Sequence, residues 1–188
     1  MVRVIAGSAR GRKLVAPRSA LVRPTSDRVR ESIFDILESR DAIEGARVLD
    51  LFAGSGALGI EALSRGAAAV CLVDHDRVAI EAVRANLVRV GLDTRGPGEP
   101  EVDVVCSDAV SFCSRCREPF DLALCDPPYA FDRWPRLLEV LPARLGVLES
   151  SVPVEPTGGF TLARTYRYGT TIVSIVTSHA SPERPDVR

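Results

Sequence analysis

Acidic residues recur in this chain where an apolar run gives way to a loop. The first closes the run Arg47-Val48-Leu49-Asp50-Leu51, just ahead of Phe52-Ala53-Gly54-Ser55-Gly56-Ala57-Leu58-Gly59. Gly54 and Gly56 let backbone approach a ligand closely and adopt positive φ. A strand, a glycine loop and a helix in succession form a nucleotide cradle. Gly54, Gly56 and Gly59 fit G-x-G-x-x-G, the fingerprint of nicotinamide dehydrogenases. Asp74 follows Gly54 by 20 residues and suits a ribose diol in either setting. Asp50 separates the two. Beside a pyrophosphate its carboxylate is repelled or has no task. S-adenosylmethionine instead presents a sulfonium and an ammonium, and both favour a nearby carboxylate. Asp50 at the methionine end, glycines beneath the ribose and Asp74 on its hydroxyls make one consistent set. Ser107-Asp108-Ala109 adds an acid suited to accept from an adenine amino group.

The fourth acid opens Asp126-Pro127-Pro128-Tyr129, which follows Asp121-Leu122-Ala123-Leu124-Cys125. Two prolines fix φ and remove two N–H donors, leaving carbonyls held in place. Asp126 adds a carboxylate acceptor and Tyr129 a flat ring. The tetrapeptide can therefore hold a planar exocyclic NH₂ group by its hydrogens and stack its base, aiming the nitrogen lone pair at a methyl donor. An aryl amine has little basicity, so its proton leaves as the nitrogen gains positive charge, which Asp126 stabilises.

The elements that must position these residues alternate. Strands are expected at Arg47–Leu51, Ala69–Val73, Val102–Cys106, Phe120–Cys125 and Val147–Glu149. Helices are expected at Ala57–Arg65, Arg77–Val90 (closed by Gly91), near Ala109–Cys113, and over 131–145 with Pro135 in the first turn. Such β-α units in series give a parallel sheet with helices on both faces. Ligands then bind at the carboxyl ends of the strands, where the acids lie. The last part differs: Phe160–Tyr166 and Thr170–Thr177 around Arg167-Tyr168-Gly169 read as a terminal antiparallel hairpin. The first part reads as a small β-hairpin, Val2–Ile5 and Lys13–Val15 around a Gly- and Arg-rich turn. An amphipathic helix follows Thr25-Ser26-Asp27-Arg28 and runs through about Ser39, with Thr25 or Ser26 as N-cap and Arg28, Arg30 and Arg40 left exposed. The division is a basic hairpin extension over 1–20, a catalytic domain over 21–179 and a polar tail over 180–188.

At 188 residues the chain can bury one full core without disulfides or metal staples. Hydrophobic residues at 46% and charged residues at 26% exclude wholesale disorder and a collagen. No run approaches a membrane span, and Met1–Gly7 has no long apolar stretch, so the cytoplasm is the expected location. Five cysteines, an odd number, sit largely in apolar runs and read as core residues of a reducing compartment. Cys113-Ser-Arg-Cys116 has no second pair or nearby His to complete four ligands, so no metal is expected. Net charge is −1, but residues 1–40 carry eight Arg and Lys13 against Asp27, Glu31, Asp35 and Glu38, a net +5. The remaining 148 residues carry −6. A basic head on an acidic body points to a polyanionic partner.

These stretches together carry a resemblance. The Asp50–Gly56 loop with D-P-P-Y resembles the Rossmann-like, class I S-adenosylmethionine-dependent amino-methyltransferases. Arg3-Val4-Ile5-Ala6-Gly7, Gly11-Arg12-Lys13-Leu14, Arg23-Pro24-Thr25-Ser26-Asp27-Arg28-Val29-Arg30-Glu31-Ser32-Ile33-Phe34 and Leu51–Gly66 narrow it to the RsmD family. The similarity runs from residue 2 to about residue 177. It implies a seven-stranded sheet with a terminal antiparallel hairpin, and methylation of the N2 amine of one guanine in 16S rRNA on small ribosomal subunit particles. It implies cofactor contacts along Asp50, Phe52, Ala53, Gly54, Ser55 and Gly56, and at Asp74, His75, Asp108 and Ala109. Target contacts fall on Asp126, Pro127, Pro128 and Tyr129. The loop 94–100 is longer and richer in Gly and Pro than this family leads one to expect.

Arg10, Arg12, Lys13, Arg28 and Arg30 are the candidate phosphate contacts, which set position and not sequence. The target base must leave its stack to reach Tyr129. A monomer is expected, as no exposed apolar stripe is obvious. The alternatives are a DNA adenine-N6 or cytosine-N4 methyltransferase, for which no DNA-reading domain is evident, and a ribosome-assembly factor without turnover. A protein glutamine methyltransferase fits less well, since its tetrapeptide usually begins with Asn. A dehydrogenase is the remaining enzyme alternative.

Overall fold

The computed structural model describes residues 2–17, 27–93, 96 and 98–179. Val2–Arg3 (β1) and Lys13–Leu14 (β2) pair antiparallel as the expected small hairpin. Asp27–Glu38 (α1) buries Val29, Ile33, Phe34 and Leu37 on one face, as its spacing requires. The expected caps Thr25 and Ser26 lie outside the described residues, as do the linker around Pro24, parts of the loop 94–100 and the tail 180–188.

The alternating units follow in order: Arg47–Leu51 (β3), Ala57–Ser64 (α2), Ala69–Asp74 (β4), Arg77–Val90 (α3), Glu101–Cys106 (β5), Ala109–Arg115 (α4), Phe120–Cys125 (β6), Trp134–Val140 (α5) and Ala143–Ser150 (β7). Phe160–Tyr168 (β8) and Thr171–Ser178 (β9) end the chain of elements. One seven-stranded sheet forms in the order β5-β4-β3-β6-β7-β9-β8. β5 to β7 run parallel, and β9 is antiparallel to both β7 and β8. This is the predicted mostly parallel sheet with a terminal antiparallel pair. Strand order reverses between β3 and β6, which makes the carboxyl ends of those two strands the switch point.

Alternation along the strands sorts two cores, one on each face. Val48, Leu72, Leu122 and Leu124 pack with α1, α2 and α3. Leu49, Cys71, Ala123 and Cys125 pack with α4 and α5. Val2, Val4, Ala9 and Leu14 of the N-terminal hairpin join the first core.

One expected element is corrected. The helix over 131–145 is only Trp134–Val140, and the strand placed at Val147–Glu149 begins at Ala143. Pro142 is the reason. A residue before proline is pushed out of the helical region, and Leu141 is extended at φ −66°, ψ 113°. The Pro142 carbonyl accepts from Phe120 N at 2.7 Å, and pairing of β7 with β6 starts at the next residue. Among the described residues no helix is long and apolar enough to cross a membrane.

Candidate active site

The glycine loop leaves β3 through three left-handed residues, Phe52 (φ 65°), Gly54 (φ 55°) and Gly56 (φ 78°). At Phe52 that conformation is strained, and it is fixed by what surrounds it. Gly54 N donates to Asp74 Oδ2 at 2.9 Å, Ala53 N donates to the Val73 carbonyl at 3.0 Å, and Asn86 Nδ2 donates to the Ser55 carbonyl at 2.8 Å. Asp74, nearly buried, also takes the Asp76 amide at 2.9 Å and lies 3.4 Å from His75 Nδ1. It braces the loop and keeps carboxylate lone pairs able to accept further donors.

Asp50 sits beneath this loop, 1% exposed. Its Oδ2 accepts the Gly59 amide at 2.8 Å, while buried Oδ1 has no hydrogen-bond partner among the described residues. Burial pushes its carboxyl up to about 8, and the neighbouring carboxylates of Asp126 and Asp74 add to that rise. An orphaned buried oxygen is costly unless a donor or a cation meets it.

Asp108 caps α4, accepting Ser111 N at 3.0 Å, and is held at 2.6 Å by Arg133. That guanidinium, with the cap bonds, draws its carboxyl down to about 2. Arg133 also lies over the Phe131 ring, and Phe131 meets Phe52 and Trp134 edge to face at 5.0 and 5.2 Å. The segment after the tetrapeptide thus closes onto the glycine loop. Sequence reasoning passed over Phe131, Arg133 and Trp134. Two of this chain's few aromatics within four residues were the available signal.

Asp126 is half-buried, Pro127 buried, and Pro128 and Tyr129 exposed. The Tyr129 ring is 54% exposed, and its hydroxyl lies 3.2 Å from Thr171 Oγ1 at the start of β9. Phe131 N donates to the Pro128 carbonyl at 2.8 Å, holding the turn. Glu149, another residue the sequence did not single out, follows β7's Leu148 just as Asp126 follows its partner Cys125. Glu149 is 4% exposed and lines one recess with Asp126, Ile33 of α1 and Leu58 of α2. Its signal was a charged residue closing the expected strand Val147–Glu149.

The basic head divides. Arg10, Arg12, Lys13 and Arg28 are exposed, and Arg12 also donates to the Val90 carbonyl. Arg30 is not on the surface as expected: it is 1% exposed and donates to the Arg3 carbonyl at 2.6 Å and to Asp27 Oδ1 at 2.9 Å. Position 30 falls on the buried face of α1 with Val29, Ile33 and Phe34, so its guanidinium joins the head to the helix instead of meeting phosphate. Three polar residues anchor the head from beneath. Glu61 accepts the Ile5 and Ala6 amides at 2.7 and 2.9 Å. Ser64 Oγ accepts Ala9 N at 2.9 Å. Asn86 pairs with both backbone groups of Val15. Cys71, Cys113 and Cys125 are buried, and burial pushes the thiols of Cys71 and Cys113 up to about 12.

The profile of the family described as Conserved hypothetical protein 95 matches residues 2–175. Ribosomal RNA small subunit methyltransferase D of Escherichia coli (strain K12) is 45% identical over 128 residues, 68% of this chain and 60% of that protein. This chain thus matches less than two thirds of that relative's length. YlbH of Bacillus subtilis (strain 168) is 35% identical over 93% of this chain and 97% of its own. In structure, the Escherichia coli protein yhhF superposes with a TM-score of 0.79 at 34% identity, covering 96% of this chain and 99% of that one. A glycine loop over a buried Asp50, a D-P-P-Y turn at the switch point and a match along nearly the whole chain agree: the chain belongs to the Conserved hypothetical protein 95 family, that of RsmD.

Proposed function

We propose that this chain transfers a methyl group from S-adenosylmethionine to the N2 amine of a guanine in 16S rRNA, acting on small ribosomal subunit particles in the cytoplasm. The observation that carries the reading is the carboxylate pair Asp126 and Glu149, lining one recess at the ends of adjacent strands β6 and β7. Guanine's N2 amine lies between N1–H and N3, and on its N1 side the edge offers donors to both carboxylates. Adenine's amine lies between the acceptors N1 and N7, and cytosine's between N3 and C5–H, so neither places a second N–H donor beside the amine for the second carboxylate. This favours guanine over the DNA adenine-N6 or cytosine-N4 reading.

The residues present fit the cofactor. Asp50 Oδ1 is a buried acceptor awaiting a cation, and the left-handed loop from Phe52 to Gly56 brings backbone close. Asp50 would hold the ammonium end, Ala53 to Gly56 would line the ribose, and Asp74 and His75 its hydroxyls. Asp108 and Ala109 would meet the adenine, with Arg133 setting the Asp108 carboxylate. When bound, S-adenosylmethionine supplies an electrophilic methyl on its sulfonium. Tyr129 stacks the target base, while Asp126 and the Pro127 carbonyl accept the two amine hydrogens. As the nitrogen gains positive charge, Asp126 offsets it, and the proton then leaves to water. Arg10, Arg12, Lys13 and Arg28 contact phosphates and set the register.

The test is transfer of labelled methyl to small ribosomal particles from cells lacking this protein, with naked 16S rRNA and duplex DNA alongside. N2-methylguanosine in the particle is the expected product. Methyladenine or methylcytosine in DNA would move the reading to the DNA alternative. Cofactor binding with no transfer to any of these would favour a binding role in ribosome assembly.

A further inference from the structure

The outer strand β8 carries a surface that the site above does not use. It is an edge strand, and Thr161 to Thr165 are exposed along it. Residues 160–178 contain Arg164 and Arg167 and no Asp or Glu, inside a part of the chain that is otherwise acidic. Arg164, Tyr166 and Tyr168 alternate along the strand and so share one face. The Arg164 guanidinium lies 5.5 Å from the Tyr166 ring centroid. Tyr166 and Tyr168 are half-buried, their bodies resting on the core beneath α1 to α3.

That face is the one the candidate site occupies. Tyr166 pairs with Val173 of β9, and Val173 pairs with Glu149 of β7. Tyr166 and Glu149 therefore stand in one cross-strand row, two strand spacings or about 10 Å apart. The strand ends beside the target turn, because Thr171, paired with Tyr168, reaches the Tyr129 hydroxyl at 3.2 Å. A flat β-surface with aromatic rings on alternate residues and arginines that form no ion pair among the described residues suits unpaired nucleic acid. Bases stack on the rings while arginine meets phosphate or stacks in turn.

We infer that the open face of β8, through Arg164, Tyr166 and Tyr168, binds the unpaired RNA flanking the target nucleotide and leads it to Asp126. This rests on the reading above that RNA is the substrate. It makes the hairpin β8–β9 a second RNA contact besides the basic head.

The experiment uses the full chain and the variants Arg164→Ala, Tyr166→Leu and Tyr166→Phe. Methyl transfer to small-subunit particles is measured with KM and kcat separated. Affinity for a short single-stranded oligoribonucleotide, cofactor affinity and melting temperature are measured in parallel. Tyr166→Leu should raise KM and weaken the oligonucleotide about tenfold, the worth of one base stack, with kcat and cofactor affinity unchanged. Tyr166→Phe should behave as the parent protein. Arg164→Ala should also lower the salt slope of binding by about one. Unchanged KM and oligonucleotide affinity in an active protein overturn the inference. A raised KM on particles with unchanged oligonucleotide affinity also overturns it, since the partner is then a ribosomal protein. If Tyr166→Leu unfolds the chain, ultraviolet cross-linking of the parent protein decides: adducts on β8 support the inference and their absence overturns it. A parent protein that binds the oligonucleotide through β8 but transfers no methyl to any RNA sinks the proposed function and leaves this surface standing.

Discussion

Asp50 and Gly59 are joined by a 2.8 Å hydrogen bond from the Gly59 amide to Oδ2, and that bond holds the other carboxylate oxygen, Oδ1, buried beneath the glycine loop. The third glycine of the loop motif thus packs α2 closely on the sheet, against Leu72, and gives its amide to the acid.

The first consequence is pH-dependent. Without a ligand, Asp50 keeps its proton up to about 8, whereas the unfolded chain ionises near 3.8. Folding takes up a proton between those values, so this contribution to stability is full below 3.8 and lost as pH rises through about 8. A cation at Oδ1 reverses the preference. S-adenosylmethionine affinity should rise up to about tenfold per pH unit below 8 and then level off. Calorimetry at pH 7 in buffers of different ionisation enthalpy should show a proton released on binding. Asp50→Asn should abolish that release.

Gly59→Ala should weaken the cofactor. An added Cβ would lie 2.8 Å from Leu72 Cδ2 and 3.0 Å from Asp50 Oδ2. Overpacking of this kind costs about 1–3 kcal/mol. Equilibrium binding should show a loss of about tenfold or more, while the same change at exposed Gly96, where a Cβ meets only Glu99 Cγ at 3.6 Å, leaves it unaltered.

Asp126→Ala should lower kcat by about 100-fold or more, with cofactor affinity held within a few-fold. Glu149→Ala should lower kcat/KM for the RNA by about 10- to 100-fold and spare the cofactor, because it removes the proposed acceptor for guanine N1–H. Steady-state transfer assays with titrated cofactor read both. Parent-like turnover in Asp126→Ala would sink the proposed mechanism.

Arg133→Ala should let the Asp108 carboxyl return from about 2 toward its ordinary value. The depressed value stabilises the fold above the unfolded value of 3.8, and that gain is lost as pH falls toward 2. Carboxyl NMR titration of Asp108 in both proteins checks the shift.

Gly7→Ala should detach the head. Gly7 has φ 77°, and a Cβ there would fall 1.7 Å from the Ser64 carbonyl oxygen. A left-handed alanine together with that collision costs about 3 kcal/mol. Denaturant unfolding should register the loss. Methylation of particles should fall further than cofactor affinity, since Glu61 and Ser64 hold the head without touching the loop.

Most of the fold was legible because its signals are local. Arg77–Val90 with its Gly91 stop, Phe120–Cys125 and the glycine loop all announce themselves by periodicity or by a residue that only one backbone conformation suits. Leu141-Pro142 was equally local, and the apolar spacing over 131–145 masked it. The acids Asp50, Asp74, Asp108 and Asp126 were found because each ends or follows a strand. Glu149 also closes a strand, but only the pairing of β7 with β6 shows that it shares a recess with Asp126.

The sequence by itself determined the order of elements, the gathering of acids at the strand ends and the basic sign of the head, since these depend on residue types and spacing along the chain. Tertiary structure alone decided which charges are available. Arg30 and Arg28 stand two residues apart on one helix, yet the first is buried against Arg3 and Asp27 and the second is exposed. Asp50 near the end of β3 and Asp108 just after β5 are both carboxylates at strand ends, yet burial raises one to about 8 and an arginine lowers the other to about 2. Solvation and the nearest charge set a side chain's chemistry, and both come from residues distant in sequence that only the packed fold brings together.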